Sequence, residues 1–202
     1  MKKILVLGLA AMSTFALTGC DAIKDFLNME KEYTCTDFKA LLADRKLSFT
    51  DNKAVATIDK DGETSTTTYT YNADEKTWEY PYTMTILGET IDMTGSTDLD
   101  VISHIKSCEL AAALIEKKVD DIFKFYANKD SYRITGEYKT DSQQNKIEYK
   151  YRSDGLITSR YEKTTDLNQI SSKETKITYA YSKVSKDAAS SASSSNPASS
   201  AA

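Results

Sequence analysis

The sequence predicts an α+β domain: an antiparallel sheet, or two sheets, of about eight strands together with two helices. Three observations lead to this class. Aromatic and polar residues alternate at period two from about residue 53 to residue 183, turn dipeptides divide this region, and helical spacing appears after two of the three cysteines.

The alternation places rings on one side of each strand. It is clearest in the strand around Trp78, where Tyr80, Tyr82, Met84 and Ile86 follow at every second position. Such a strand has one covered face and one solvated face, as in antiparallel sheets. The same spacing occurs in four Tyr-x-Tyr pairs: Tyr69/Tyr71, Tyr80/Tyr82, Tyr149/Tyr151 and Tyr179/Tyr181.

Turn residues divide the alternating region into hairpins. Asp61-Gly62 and Asp154-Gly155 are the clearest turn candidates, and Gly88 marks a third turn. The resulting eight strands lie near residues 53–59, 63–72, 77–87, 89–95, 131–140, 145–152, 156–165 and 173–183.

Helical spacing follows Cys35 and Cys108. The first stripe is short, and the second is longer. The stripes consist of Phe38, Leu41 and Leu42, and of Ala111, Leu114, Ile115, Val119, Ile122, Phe123 and Tyr126.

Two architectures satisfy this order of elements. Residues 35–97 and 98–187 could form two α-β4 modules, because each half has a cysteine, a helix and four strands. Alternatively, one long curved sheet could carry both helices on its aromatic face. The one-sheet arrangement resembles, in element order, the carriers of lipoproteins and of mycobacterial glycolipids.

The chain begins with the pattern of a secretory signal. Lys2-Lys3 precede an uncharged apolar run from Ile4 to about Ala16, which is shorter than the roughly 20 residues of a membrane-spanning helix. Leu17-Thr18-Gly19-Cys20 then resembles the lipobox of bacterial lipoproteins. That resemblance implies cleavage before Cys20, a diacylglyceryl group on its sulfur and often a palmitate or similar acyl chain on its amino group.

The predicted organisation follows from these signals. Residues 1–19 are the signal peptide, 20–34 a lipidated tether, 35–187 the α+β domain and 188–202 a tail. The tail contains only Ser and Ala apart from Asn196 and Pro197, so we expect it to be disordered. The expected location is the extracytoplasmic face of a bacterial cell membrane.

Charge and cysteines limit the partners and the chemistry. Without Lys2 and Lys3 the net charge falls from −4 to about −6, which disfavours nucleic acid. If Cys20 carries lipid, Cys35 and Cys108 remain, either as a disulfide or as two buried thiols.

The sequence gives no indication of an enzyme. His104 is the only histidine, so a catalytic triad or a histidine-based metal site is not expected, and no cofactor is predicted. We expect a non-enzymatic binding or interaction module for an unknown protein, glycan or lipid; the alternative is a carrier of a hydrophobic ligand. The candidate ligand face is Tyr69, Tyr71, Trp78, Tyr80, Tyr82, Tyr149, Tyr151, Tyr179 and Tyr181. The alternative, which the helix stripes favour, is that these rings are core.

Overall fold

The structure is a computed structural model that describes residues 28–99, 105, 106, 109 and 119–185. The strands are β1 (Lys31–Tyr33), β2 (Lys53–Lys60), β3 (Glu63–Asn72), β4 (Thr77–Ile86), β5 (Glu89–Thr97), β6 (Phe123–Ala127), β7 (Ser131–Lys139), β8 (Gln143–Arg152), β9 (Ile157–Asp166) and β10 (Ser171–Ser182). The helices whose bounds the structure describes are α1 (Cys35–Asp44) and α2 (Val119–Ile122). None of the helices in these ranges is long and apolar enough to cross a membrane.

All ten strands belong to one antiparallel sheet, in the order β1-β6-β7-β8-β9-β10-β2-β3-β4-β5. The predicted α+β class and antiparallel sheet are therefore confirmed, and the one-sheet arrangement is the one observed. The last strand joins the two halves: β10 pairs with β9 on one side and with β2 on the other, where Tyr179 lies opposite Ala56.

Two strands differ from the sequence prediction. The three residues of β1 lie in the segment assigned to the tether. The prediction that Phe123 and Tyr126 continue a helix is wrong, because α2 ends at Ile122 and β6 begins at the next residue. In β6, Phe123, Phe125 and Ala127 are buried while Lys124 is exposed, which is the period of a strand.

Helix α1 covers one end of the sheet. Thr34 caps the helix by accepting a hydrogen bond from the Asp37 N–H, and the Asp120 carboxylate accepts one from the Cys35 N–H. The fully buried Phe38 ring packs 5.3 Å from the Phe125 ring and 5.7 Å from the Tyr132 ring, centroid to centroid. The face that α1 covers also carries the tyrosine rows and is called the aromatic face below.

Strand β2 makes room for rings from both of its neighbours. Ala54 and Ala56 are fully buried on the aromatic face, opposite Tyr181 and Tyr179 of β10. Tyr69 of β3 reaches across them, so that its ring lies 6.4 Å from the Tyr179 ring. The two small side chains therefore allow rings from strands that are not neighbours to meet.

The hairpin of β4 and β5 separates from the sheet at Pro81. Its two-residue turn, Leu87-Gly88, has positive φ at both residues, so Ile86 and Glu89 form the closing hydrogen-bonded pair. Counted back from Ile86, every second residue of β4 therefore directs its backbone hydrogen-bonding groups toward β5. The residues between them, including Pro81, direct theirs toward β3. Because proline has no N–H, the β3–β4 ladder stops after the pair Thr70–Glu79.

Beyond that point, among the described residues, the two strands of the hairpin pair only with each other. We call residues 81–94 the arm: the end of β4, the turn and the first part of β5. A two-stranded hairpin is only marginally stable in water by itself. The arm therefore depends on its attachment to the sheet at Trp78 and on whatever contacts its side chains make.

Candidate functional site

The nine candidate aromatic residues lie on one face of the sheet, but at different depths. Trp78, Tyr149, Tyr151 and Tyr179 are buried and belong to the core. Tyr69, Tyr71 and Tyr181 are half-buried and pack against the core, and Tyr80 and Tyr82 are half-buried further along β4.

Eight rings form a continuous series of contacts from the core to the arm. The series runs Phe49, Tyr71, Trp78, Tyr181, Tyr179, Tyr69, Tyr80, Tyr82, with centroid distances between 5.1 and 6.5 Å. Trp78 on β4 touches Tyr181 on β10 although two strands lie between them. The aromatic face is therefore concave here, and its rings fill much of the concavity.

One ion pair lies on this aromatic face. The Arg160 Nε donates to Glu162 Oε1 over 2.7 Å, and the Tyr149 hydroxyl donates to the same oxygen over 2.6 Å. The guanidinium also lies 5.7 Å from the Tyr149 ring centre. Each charged group has a partner within the cluster, so the arrangement satisfies half-buried charges rather than separating an acid from a base.

A second cluster holds the loop before β2 against the end of the sheet. The Arg152 guanidinium binds Asp51 at 2.9 Å and Asp154 at 2.6 Å, and it lies 5.5 Å from the Tyr181 ring centre. The Tyr181 hydroxyl donates to the carbonyl of Ile157 over 2.5 Å. These contacts position the loop at residues 45–52 and account for the polar residues at this corner.

Burial changes the acidity of two inner tyrosines. Burial raises the pKa of Tyr179 to about 12, with the nearby Tyr69 adding to the effect. Burial also raises the pKa of Tyr181. Both hydroxyls stay neutral in the physiological range, so they act in packing and hydrogen bonding and not as proton carriers.

The arm exposes large apolar side chains on its aromatic-face side. The fractional exposure is 40% for Met84, 46% for Ile86, 43% for Ile91 and 38% for Met93. Leu87, in the turn, is fully exposed in a left-handed conformation that Asn, Asp and Gly adopt more readily. The opposite side of the arm carries threonines and Asp92. The arm is therefore an amphipathic hairpin with its apolar side in contact with solvent.

Tyr80 connects the ring series to the arm. Its cross-strand partner is Gly95, and a Cβ at Gly95 would lie 2.6 Å from Tyr80 Cζ. The tip of the ring thus lies over the bare backbone of β5, a position that only glycine allows. This contact fixes the side chain at the base of the arm.

The sequence pattern placed Met84 and Ile86 on the ring side of β4 but did not identify the arm as a site. Two signals were present in the sequence: a proline inside an alternating strand, and a leucine in a two-residue turn. The second strand of the arm, with Ile91 and Met93, shows the same alternation.

Two grooves lined by described residues are open to solvent. One, of about 600 Å3, lies along the arm and is lined by Pro81, Tyr82, Thr83, Asp92, Met93 and Thr94. The other, of about 420 Å3, has a mostly charged lining that includes Asp121, Lys124, Arg133, Glu137, Lys146 and Glu148. Within the described ranges, no three His, Cys, Asp or Glu side chains are placed to hold a metal ion.

Several predicted features lie outside the described residues: the signal sequence, Cys20, His104, Cys108 and the Ser/Ala tail. Cys35 is described; it is buried, and burial raises the pKa of its thiol. The pairing of Cys35 with Cys108 therefore stays a prediction.

Comparison with protein-family models, with curated proteins and with solved structures gave no match to this chain. The arguments for function thus come from the residues and their geometry.

Proposed function

We propose that this chain is a membrane-anchored extracytoplasmic lipoprotein that acts as a non-enzymatic interaction module, and that the arm is its contact surface. The observation that carries the proposal is the exposure of Met84, Ile86, Ile91 and Met93 on one side of the arm, with Leu87 exposed in its turn. Contiguous apolar surface of this kind is typical of binding sites in otherwise soluble domains.

The charge of the arm favours a protein partner over a bilayer. Residues 81–94 contain Glu89 and Asp92 and no Lys or Arg. Anionic lipid headgroups attract basic segments and repel carboxylates. In this proposal the membrane is contacted through the lipid on Cys20, and the arm meets another polypeptide.

Carriage of a hydrophobic ligand is the alternative function. A carrier buries most of its ligand in a cavity of several hundred Å3. On the described part of the aromatic face, the rings of Tyr69, Tyr179 and Tyr181 pack against one another, and the groove along the arm is open. The interaction module therefore fits the described residues better.

Cys20→Ser is expected to release the protein from membranes into the soluble extracytoplasmic fraction. Two or more acyl chains hold a protein stably on a bilayer, and the variant loses the thiol that would carry the diacylglyceryl group. Fractionation of host cells with immunodetection measures this. Cys35→Ser, which leaves Leu17-Thr18-Gly19-Cys20 intact, should stay in the membrane fraction. Membrane retention of exported Cys20→Ser would contradict the anchor.

A photo-crosslinking residue at Ile91 is expected to capture a discrete partner in intact cells, whereas the same residue at Thr85 should capture little. Ile91 lies on the apolar side of the arm in β5, whereas Thr85 is an exposed residue on the polar side of the arm in β4. The adduct is measured as a shifted band whose mass identifies the partner. Equal capture from both positions, or none from either, would contradict a contact surface on the arm.

A further inference from the structure

The two outer edges of the sheet differ in how they are protected from pairing. Strand β1 has only three residues, and two of them, Lys31 and Glu32, are charged. Short and charged strands are common ways of blocking an exposed edge. Strand β5 has nine residues, without proline or lysine, and among the described residues it pairs only with β4. Within the part of the chain that the structure describes, the edge of β5 is thus open to a further strand.

The turn at Leu87-Gly88 determines which groups this edge offers. Because Ile86 and Glu89 form the closing hydrogen-bonded pair, the backbone groups of Glu89, Ile91 and Met93 point inward to β4. The N–H and C=O groups of Thr90, Asp92, Thr94 and Ser96 therefore point outward. Along the whole of β5, these groups form one side of a hydrogen-bond ladder that a further strand could complete.

One antiparallel register lets β5 pair with a second β5 over its full length. It is centred on Met93, so that Met93 lies opposite the partner's Met93 and Glu89 opposite the partner's Thr97. The outward groups of Thr90 then meet the partner's Ser96, and those of Asp92 meet the partner's Thr94. Residues on the apolar side of the arm face each other across the two copies, as the period of a strand requires.

The charges and side chains in this register are compatible. Both carboxylates, Glu89 and Asp92, lie opposite hydroxyl-bearing residues, whereas a register centred on Asp92 would oppose like charges. The partner's Ile91 lies opposite Gly95, next to the tip of the Tyr80 ring. An apolar side chain from the second copy thus extends the ring series described above.

We propose that β5 pairs antiparallel with β5 of a second copy of this chain, giving a two-fold dimer centred on Met93. The proposal rests on the proposed function in that it names the partner of the arm. A two-fold contact uses the same surface on both copies, which suits a strand whose open edge and apolar residues are complementary to themselves. A strand from a different protein is the competing occupant, and the tests below distinguish the two.

The first test is a cysteine at Met93 in the full-length chain in membranes, under mild oxidation. Opposed residues in a pair without mutual hydrogen bonds have Cα atoms about 4.5 Å apart, within disulfide range. Met93→Cys should give a dimer linked by a disulfide. In Ile91→Cys the two introduced thiols would be about four residues, roughly 13 Å, apart along the strand, too far to bond. We expect at least about tenfold less dimer from it.

The unsubstituted chain, which keeps Cys35 and Cys108, sets the background. A chain carrying both Glu89→Cys and Thr97→Cys should crosslink, because the register opposes these residues. Equal dimer yields from Met93→Cys and Ile91→Cys would overturn the register. No dimer above background from Met93→Cys would overturn the pairing.

The second test removes one outward N–H without touching the β4–β5 ladder. Thr94→Pro should lower the yield of the Ile91 photo-crosslinked homodimer, because the N–H of Thr94 points to the second copy. The fluorescence of the buried Trp78 should stay unchanged, which shows that the fold persists. A homodimer yield that is unaffected by Thr94→Pro would contradict pairing through this edge.

The mass of the Ile91 adduct separates this proposal from the proposed function. An adduct of twice the mass of the chain supports the second copy. An adduct of another mass, with no dimer from Met93→Cys, overturns the second copy and leaves the interaction module in place. Capture from neither Ile91 nor Thr85 contradicts the interaction module itself.

Discussion

Phe38→Ala is expected to lower the free energy of unfolding by about 3 to 5 kcal/mol. Phe38 is fully buried, and its ring joins α1 to the sheet through Phe125 and Tyr132. Truncation removes the ring and leaves a cavity between the helix and the sheet. The rings that surround this cavity are packed against other residues, so they cannot move in to fill it. Urea unfolding followed by the fluorescence of Trp78, the single tryptophan, measures the loss.

A matched control for this change lies on the same helix. Thr36 is exposed, so Thr36→Ala should change the free energy of unfolding by no more than about 0.5 kcal/mol. Phe38→Leu, which keeps most of the apolar volume, should lose less than Phe38→Ala. A loss below about 1 kcal/mol for Phe38→Ala would mean that α1 contributes little to the core.

The second large effect is a loss of stability at alkaline pH. The pKa of Tyr179 is raised to about 12 in the folded protein by burial, against about 10 in an unfolded chain. The unfolded state therefore releases this proton first. The contribution of Tyr179 to the free energy of unfolding is complete below about pH 10, and it is lost as the pH rises toward 12. Two pKa units correspond to roughly 2.7 kcal/mol.

Urea midpoints measured by far-UV circular dichroism should be constant up to about pH 9 and fall above about pH 10. Tyr181, whose pKa burial also raises, adds to the fall. Tyr179→Phe should make the fall shallower, because one titrating group is removed. Midpoints that stay constant from about pH 9 to about pH 11 would contradict the burial of these hydroxyls.

Period-two alternation predicted most of the sheet, because one face of these strands is solvated and the other covered. The strand Glu63–Asn72 has the predicted bounds, and the others differ by a few residues. β6 was misread because Val119, Ile122, Phe123 and Tyr126 also fit helical spacing. A short segment rich in apolar residues does not distinguish a buried strand from a helix. The three residues of β1 are too few to show a period.

The aromatic face was predicted as a surface, but its division into core and site was not. Alternation shows which residues share a face, and it does not show what covers that face. Tyr149 and Tyr179 are buried by neighbouring rings, whereas Met84 and Ile91 lie beyond the point where Pro81 ends the ladder to β3. That difference depends on pairing between strands, which a single sequence does not specify.

The place of β10 in the sheet determines when the sheet can be completed. Strand β2 pairs with β10, and β1 pairs with β6. Each of these N-terminal strands therefore pairs with a strand that is synthesised much later. Contacts between distant parts of a chain form slowly, because the intervening loop must first be closed. A chain that emerges N-terminus first cannot finish its core before Ser182 has appeared. In the export that we propose for this chain, the sheet would therefore stay incomplete until its C-terminal strand had emerged from the channel.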